Sequence, residues 1–258
     1  MSDPGLYLYA LIPDTGSRVF DCRAVGNEEC PVFTLAAERC AAVVSPRALE
    51  EMDPTRRNML SHTRVQEHVM QQFPILPVSF GTILPDGVTL LRCLDAQAEE
   101  IDALFADIRD CVELGVKIGF HPEPLYADII AAEPALRTLR DSLQGRSVEE
   151  TYYERVELGR RVEAAVQERR ALIAAEAEAA LAPHYTRSAE LKLLDDHMIL
   201  NAAYLVPRAQ EPAFDRAING IAESLGDTAT IKYVGPVPPY NFVSFRAAWD
   251  PPGARQAA

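Results

Sequence analysis

The sequence predicts an α+β protein of two domains, and three observations carry that reading. Short β-type apolar runs are interspersed with segments whose apolar residues recur every three or four positions, so strands and helices mix along the chain. At 258 residues the chain is long enough for two modest cores, since domains typically span ~100–200 residues. From residue 113 the order of elements becomes β, long α, β, β, α, β, β, which contains the split βαββαβ pattern of a ferredoxin-like fold. The expected boundaries are 1–112 for an N-terminal α+β domain and 113–247 for a modified ferredoxin-like domain with a long helix. Residues 248–258, with Pro251, Pro252 and Gly253, form a frayed tail.

Residues 6–11 (LYLYAL) lack a helical period and stop before Pro13, which predicts a strand. The glycine-, asparagine- and proline-containing stretch 14–31 reads as loop, and 32–35 and 40–44 as short strands. Asp53 before Pro54 is a helix-start pattern, because proline at the first helical position gives up a hydrogen bond the helix does not need. Met59, His62, Val65, Gln66 and Val69 share one face of that helix. The run 75–84 (ILPVSFGTIL) carries Pro77 and Gly81 and predicts an edge or kinked strand. After the Pro85-Asp86-Gly87 turn, 88–91 is expected to pair back as a strand.

Residues 95–112 form an amphipathic helix and 113–120 (ELGVKIGF) a half-buried alternating strand. A helical stretch covers 126–143. Then 149–182 runs without proline and with Gly159 alone among glycines; at 1.5 Å per residue it would be roughly 50 Å long. Such an apolar stripe outruns a small domain, which suggests a partner-binding or coiled-coil arm. Strands at 190–194, 199–206, 228–234 and 242–246, and a helix at 212–225, complete the order.

The formal charge is −13, from 25 basic and 38 acidic residues. That balance, with no dense Lys/Arg stripe, argues against nucleic acid and anionic lipid membrane as partners, because both need a basic face. The five scattered cysteines show no close pairs and read as free thiols of a reducing cytoplasm. The N-terminus has neither the basic start nor the apolar length of a signal peptide. Chemistry-bearing motifs are sparse. His62 and His68 fall on different helix faces, and Asp195-Asp196-His197 is the most chemical-looking cluster. An enzymatic or small-molecule-binding ferredoxin-like protein using Asp195, Asp196 and His197 is therefore the alternative reading. A solvated turn explains the triplet equally well.

Four segments, in order, resemble the gas vesicle protein F/L family, nearer its F branch. They are Pro77-Val78-Ser79-Phe80-Gly81-Thr82, Glu113-Leu114-Gly115-Val116-Lys117, Leu200–Val206, and Val234-Gly235-Pro236-Val237-Pro238-Pro239-Tyr240-Asn241-Phe242-Val243. Ser79 stands where that family usually has arginine. The resemblance implies two α+β domains, no enzymatic activity, no cofactor and no metal. It also implies a cytoplasmic accessory or minor structural protein, associated with the gas vesicle and contacting the hydrophobic wall protein (GvpA-type) and other accessory proteins. Candidate contact residues are Phe80, Gly81, Thr82, Gly235, Pro236, Pro238, Pro239 and Tyr240. The prolines stiffen an extended backbone from which Tyr240 and Phe242 project. Phe242 is read preferentially as core, and Tyr240 equally as core or contact.

Overall fold

A computed structural model describes residues 5–27, 29–243 and 245. The protein is a mixed helix-and-sheet chain with two sheets. It forms two compact units: residues up to Glu113 together with those from Pro236 onward make the first, and Leu114–Gly235 make the second. The sequence reading kept 113–247 in one piece; the segment from Pro236 instead groups with the N-terminal residues.

The first unit contains β1 (Gly5–Ile12), β2 (Val19–Phe20), β3 (Val32–Ala36), β4 (Ala41–Arg47), α1 (Arg56–Met70), β5 (Leu76–Pro77), β6 (Ile83–Leu84), α2 (Gly87–Ala96) and α3 (Ala98–Asp107). The sheet order is β2-β3-β4-β1-β5, with β6 also on β1. β1 is apolar throughout because both faces of the sheet are covered. Its register against antiparallel β4 slips between Leu8 and Ala10. That bulge lets Tyr7, Tyr9, Ala10 and Ile12 share one core with Val65 and Val69 of α1. Leu8 and Leu11 enter the opposite core with Leu90 and Leu94 of α2 and Ile101 of α3.

Three expectations fail here, each through a capping or turn residue. The helix begins at Arg56, not after Asp53, because the Thr55 side chain accepts from the Asn58 N–H at 3.3 Å. Residues 88–91 are helix, not strand: Asp86 Oδ1 accepts from the Thr89 N–H at 2.6 Å, so Asp86-Gly87 caps a helix rather than turning a hairpin. Asp86→Ala should then lower stability by about 1 kcal/mol, read from the denaturant midpoint; an unchanged midpoint would show the cap to be dispensable. The strand expected at 242–246 is absent from its described residues. Phe242 and Val243 fold into a turn whose N–H groups reach the Pro239 carbonyl at 3.2 and 3.1 Å. Phe245 makes a single parallel bridge to Val78. The expected tail, 248–258, lies outside the described residues.

The second unit is entered through β7 (Cys111–Phe120) and continues with α4 (Pro122–Ala132), α5 (Pro134–Ser142), α6 (Tyr152–Leu181), β8 (Arg187–Glu190), β9 (Met198–Pro207), α7 (Glu211–Leu225) and β10 (Ala229–Val237). Its sheet order is β10-β7-β9-β8. The long helix is 30 residues, about 45 Å at 1.5 Å per residue. Its C-terminal half buries Val166, Ile173, Ala177 and Leu181. There Glu178 accepts hydrogen bonds from the Tyr204 and Tyr185 hydroxyls, and the Tyr204 ring packs on Phe214 with centroids 5.5 Å apart. Gly226, at φ 49°, ends α7 in the left-handed region where a side chain is strained.

Candidate functional site

The matched segment 77–82 and residues 236–243 of the matched segment 234–243 meet in the first unit, and α1 joins them. Gln66 is fully buried on α1. Its Nε2 donates to the Tyr9 carbonyl at 2.7 Å and the Val78 carbonyl at 3.1 Å. Its Oε1 accepts from the Tyr240 hydroxyl at 2.8 Å. One amide thus uses both donors and its acceptor, holding β1, the 77–82 segment and the C-terminal segment to a single helix face.

His62, one turn earlier, extends the network. Its Nε2 lies 3.0 Å from the Val78 carbonyl, which can only accept, so that nitrogen carries the proton. Nδ1 then accepts from the Tyr7 hydroxyl at 3.0 Å. The Tyr7 oxygen in turn accepts from the Gly81 N–H at 3.0 Å. A directed chain therefore runs from Gly81 through Tyr7 and His62 to Val78. Burial holds the imidazole neutral, lowering its pKa to about 4 against the opposing Val78 bond. Desolvation likewise raises the Tyr7 phenol, with the Gly81 bond opposing it.

The candidate contact residues differ in access. Phe80 is half-buried, in edge-to-face contact with His62 and Tyr7 at centroid separations of 5.8 and 6.3 Å. Gly81 is exposed at φ 84°, a conformation that favours glycine and lets its N–H turn back to Tyr7. Thr82 Oγ1 donates to the Ser79 carbonyl at 2.8 Å, closing the turn, and Ser79 itself is exposed. Pro238 and Pro239 are buried and Pro236 is exposed. Gly235 is exposed at the end of the second unit, apart from the cluster's own unit. Phe242 is buried, as expected of a core aromatic. Tyr240 is divided: the residue is 40% exposed, while burial of its hydroxyl raises its pKa to about 12. Below it, Glu113 is buried and accepts from the Asn241 N–H at 2.8 Å and from Asn241 Nδ2 at 2.5 Å. Desolvation pushes that carboxyl up while the Asn241 bonds lower it.

The alternative triplet has a different setting. Asp195 Oδ1 accepts from the His197 N–H at 2.9 Å, a local turn, and the His197 ring stands edge-on to Phe120 with centroids 5.3 Å apart. Among the described residues no group of three or more His, Cys, Asp or Glu side chains is placed to hold a metal.

The family model for gas vesicle synthesis protein GvpL/GvpF matches residues 5–244. The chain belongs to this family. It is 31% identical to gas vesicle protein F of a Streptomyces species over 85% of this chain and 90% of that relative. Gas vesicle protein F of Haloferax mediterranei is 28% identical over 97% and 98% respectively. Among solved structures, gas vesicle protein GvpF from Anabaena sp. PCC7120 superposes with a TM-score of 0.79 at 23% identity, covering 94% of this chain and 99% of that one. GvpF from Microcystis aeruginosa gives 0.73 at 26%, covering 93% and 99%. Membership in this family implies a gas vesicle-related role. No helix among the described residues is long and apolar enough to cross a membrane.

Sequence reasoning placed Gln66 and His62 on one helix face but assigned them no part in the site. It missed Tyr7 and Tyr9 altogether, although their alternation in LYLYAL puts both phenols on one side of a strand. Met59, grouped with the buried face, is 49% exposed.

Proposed function

We propose that this GvpL/GvpF family member is an accessory or minor structural protein of gas vesicle assembly. It binds the hydrophobic wall protein and other accessory proteins in the cytoplasm, in association with the vesicle, and performs no enzymatic step. The observation that carries the reading is the Gln66 junction. Two segments are locked to one helix, the C-terminal one by a hydrogen bond that spans 174 positions, and they present the half-buried Phe80, the exposed Gly81 backbone and the exposed Tyr240. Rigid aromatic groups on a pre-ordered backbone are what an apolar partner contacts at little entropic cost. Pro236 extends the exposed backbone of the C-terminal segment. A net charge of −13 keeps such a protein in solution beside an aggregation-prone polymer.

We also read the second unit as a modified ferredoxin-like domain. The order β10-β7-β9-β8, with α6 and α7 in the two crossovers, supports that reading.

Co-expression with the wall protein tests the function: soluble, co-purifying wall protein is the expected result. Tyr240→Ala should weaken capture at least tenfold, the scale of losing one aromatic anchor worth about 1.4 kcal/mol or more, while leaving the fold intact. No association, with no change in wall-protein solubility, would overturn the proposal. Recovery of the protein in washed vesicles would place it in the wall; its absence there would make it a transient assembly factor.

A further inference from the structure

The two halves of α6 meet different fates on the same face. Val166, Arg170, Ile173, Ala177 and Leu181 follow one stripe at three- and four-residue spacing and pack within the second unit. That stripe continues toward the N-terminus through Val162 with Glu163, Gly159, Val156 with Arg155, and Tyr152. None of these is buried: Tyr152 is 58% and Val156 54% exposed. Of these, Arg155, Gly159, Val162 and Glu163 border a groove of about 760 Å³, whose other wall includes Phe120, Tyr126 and His197. A Cβ built on Gly159 meets no atom within 4 Å, so the helix backbone is open to close approach there.

The uncovered stripe is complementary to itself. Laid antiparallel to an identical helix with Gly159 at the crossing point, Val156 falls opposite Val162 and Arg155 opposite Glu163, while Tyr152 lies at the outer end of the contact. Each pairing occurs twice. The pattern supplies one apolar pair on each side of a glycine crossing and two reciprocal ion pairs. Within the chain, Arg155 bonds only neutral oxygens, namely Thr151 Oγ1 and the Leu143 and Arg146 carbonyls. Glu163 has no ion pair among the described residues, whereas Glu157, one position off the stripe, is already held by Arg160 and Arg161. Arg155 and Glu163 are thus charges that a two-fold partner would satisfy.

We propose that the N-terminal half of α6 is an isologous interface, and that the partner it fits is a second copy of this chain in antiparallel contact centred on Gly159. The interface covers the exposed Val156 and Tyr152 and pairs Arg155 with Glu163 of the second copy, and the converse. It is separate from the Gln66 site and does not depend on the partner assigned to that site.

Sedimentation of the purified full chain tests this. The expected result is a concentration-dependent dimer. Glu163→Arg sets arginine against Arg155 and should weaken the dimer at least tenfold; adding Arg155→Glu should restore it. Because Arg155 also holds local carbonyls, Gly159→Cys gives an independent reading: oxidation should yield a disulfide-linked dimer that the unsubstituted chain does not form. A chain that stays monomeric at about 100 µM, well above the range in which specific dimers assemble, would overturn the proposal. So would a dimer indifferent to Glu163→Arg, or a stripe that captures the vesicle wall protein in place of a second copy.

Discussion

Gln66→Ala is expected to cost the first unit about 4 kcal/mol. Three hydrogen bonds disappear, each worth about 1 kcal/mol net when its partners are buried. Truncating a fully buried side chain adds about 1 kcal/mol for lost packing. The loss is local to the junction: the Tyr9 carbonyl keeps its bond from the Val78 N–H at 3.0 Å and the Val78 carbonyl keeps His62, but Tyr240 loses its anchor on α1. Gln66→Glu should be worse despite its matching shape. It aims a carboxylate oxygen at two carbonyls, so the group must either stay charged and repelled or take up a proton in a buried place. Urea unfolding followed in the first unit checks both variants. A midpoint shift of under about 1 kcal/mol for Gln66→Ala would mean that the amide does not hold the two segments.

The second expected result is an acid-sensitive stability set by His62. Its folded pKa of about 4 lies below the ordinary value of 6.5, so between those values the unfolded chain binds the proton and the folded chain does not. Stability therefore rises with pH across that window and is lost as pH falls through it. The full swing is about 3 kcal/mol, at 1.36 kcal/mol per pH unit of displacement. Glu113 works against it. Its raised pKa means that the folded chain holds a proton the unfolded chain has released, so its contribution declines as pH rises above the ordinary carboxylate value. Comparing wild type with His62→Gln isolates the imidazole. The difference in stability between the two should shrink by about 3 kcal/mol from pH 6.5 to 4; a constant difference would show that His62 is not held neutral.

Much of the architecture was legible because local periodicity and burial agree. LYLYAL became β1, which pairs with β4, β5 and β6, 113–120 became β7 within two residues, and the long helix ends at Leu181, just before Pro183. The misreadings came where one side chain outcompeted a pattern. Asp86 accepts a backbone N–H and turns an apolar tetrad into helix. The Pro239 carbonyl captures two N–H groups and denies 242–246 a ladder. The site was only half legible. Its exposed members stood out as short motifs, but the groups that organise them are buried polar residues on other elements. Glu113 looked like the polar side of an alternating strand, and only the return of Asn241 explains a carboxylate that is 3% exposed. A contact bridging 128 positions leaves no trace in local spacing.

The second unit is an insertion: the chain leaves the first at Glu113 and rejoins it at Pro236. This imposes a schedule on synthesis. At roughly 5–20 residues per second, the interval between making Gln66 and making Tyr240 is on the order of ten to thirty seconds. During that time α1 can form while its amide has no phenol to hold, and the inserted unit can finish folding before its host does. A nascent or truncated chain ending before Tyr240 thus carries Phe80 and Gly81 without their C-terminal neighbours. The proposed partner-binding surface is thus completed late in synthesis, and a chain that lacks Tyr240 is expected not to engage.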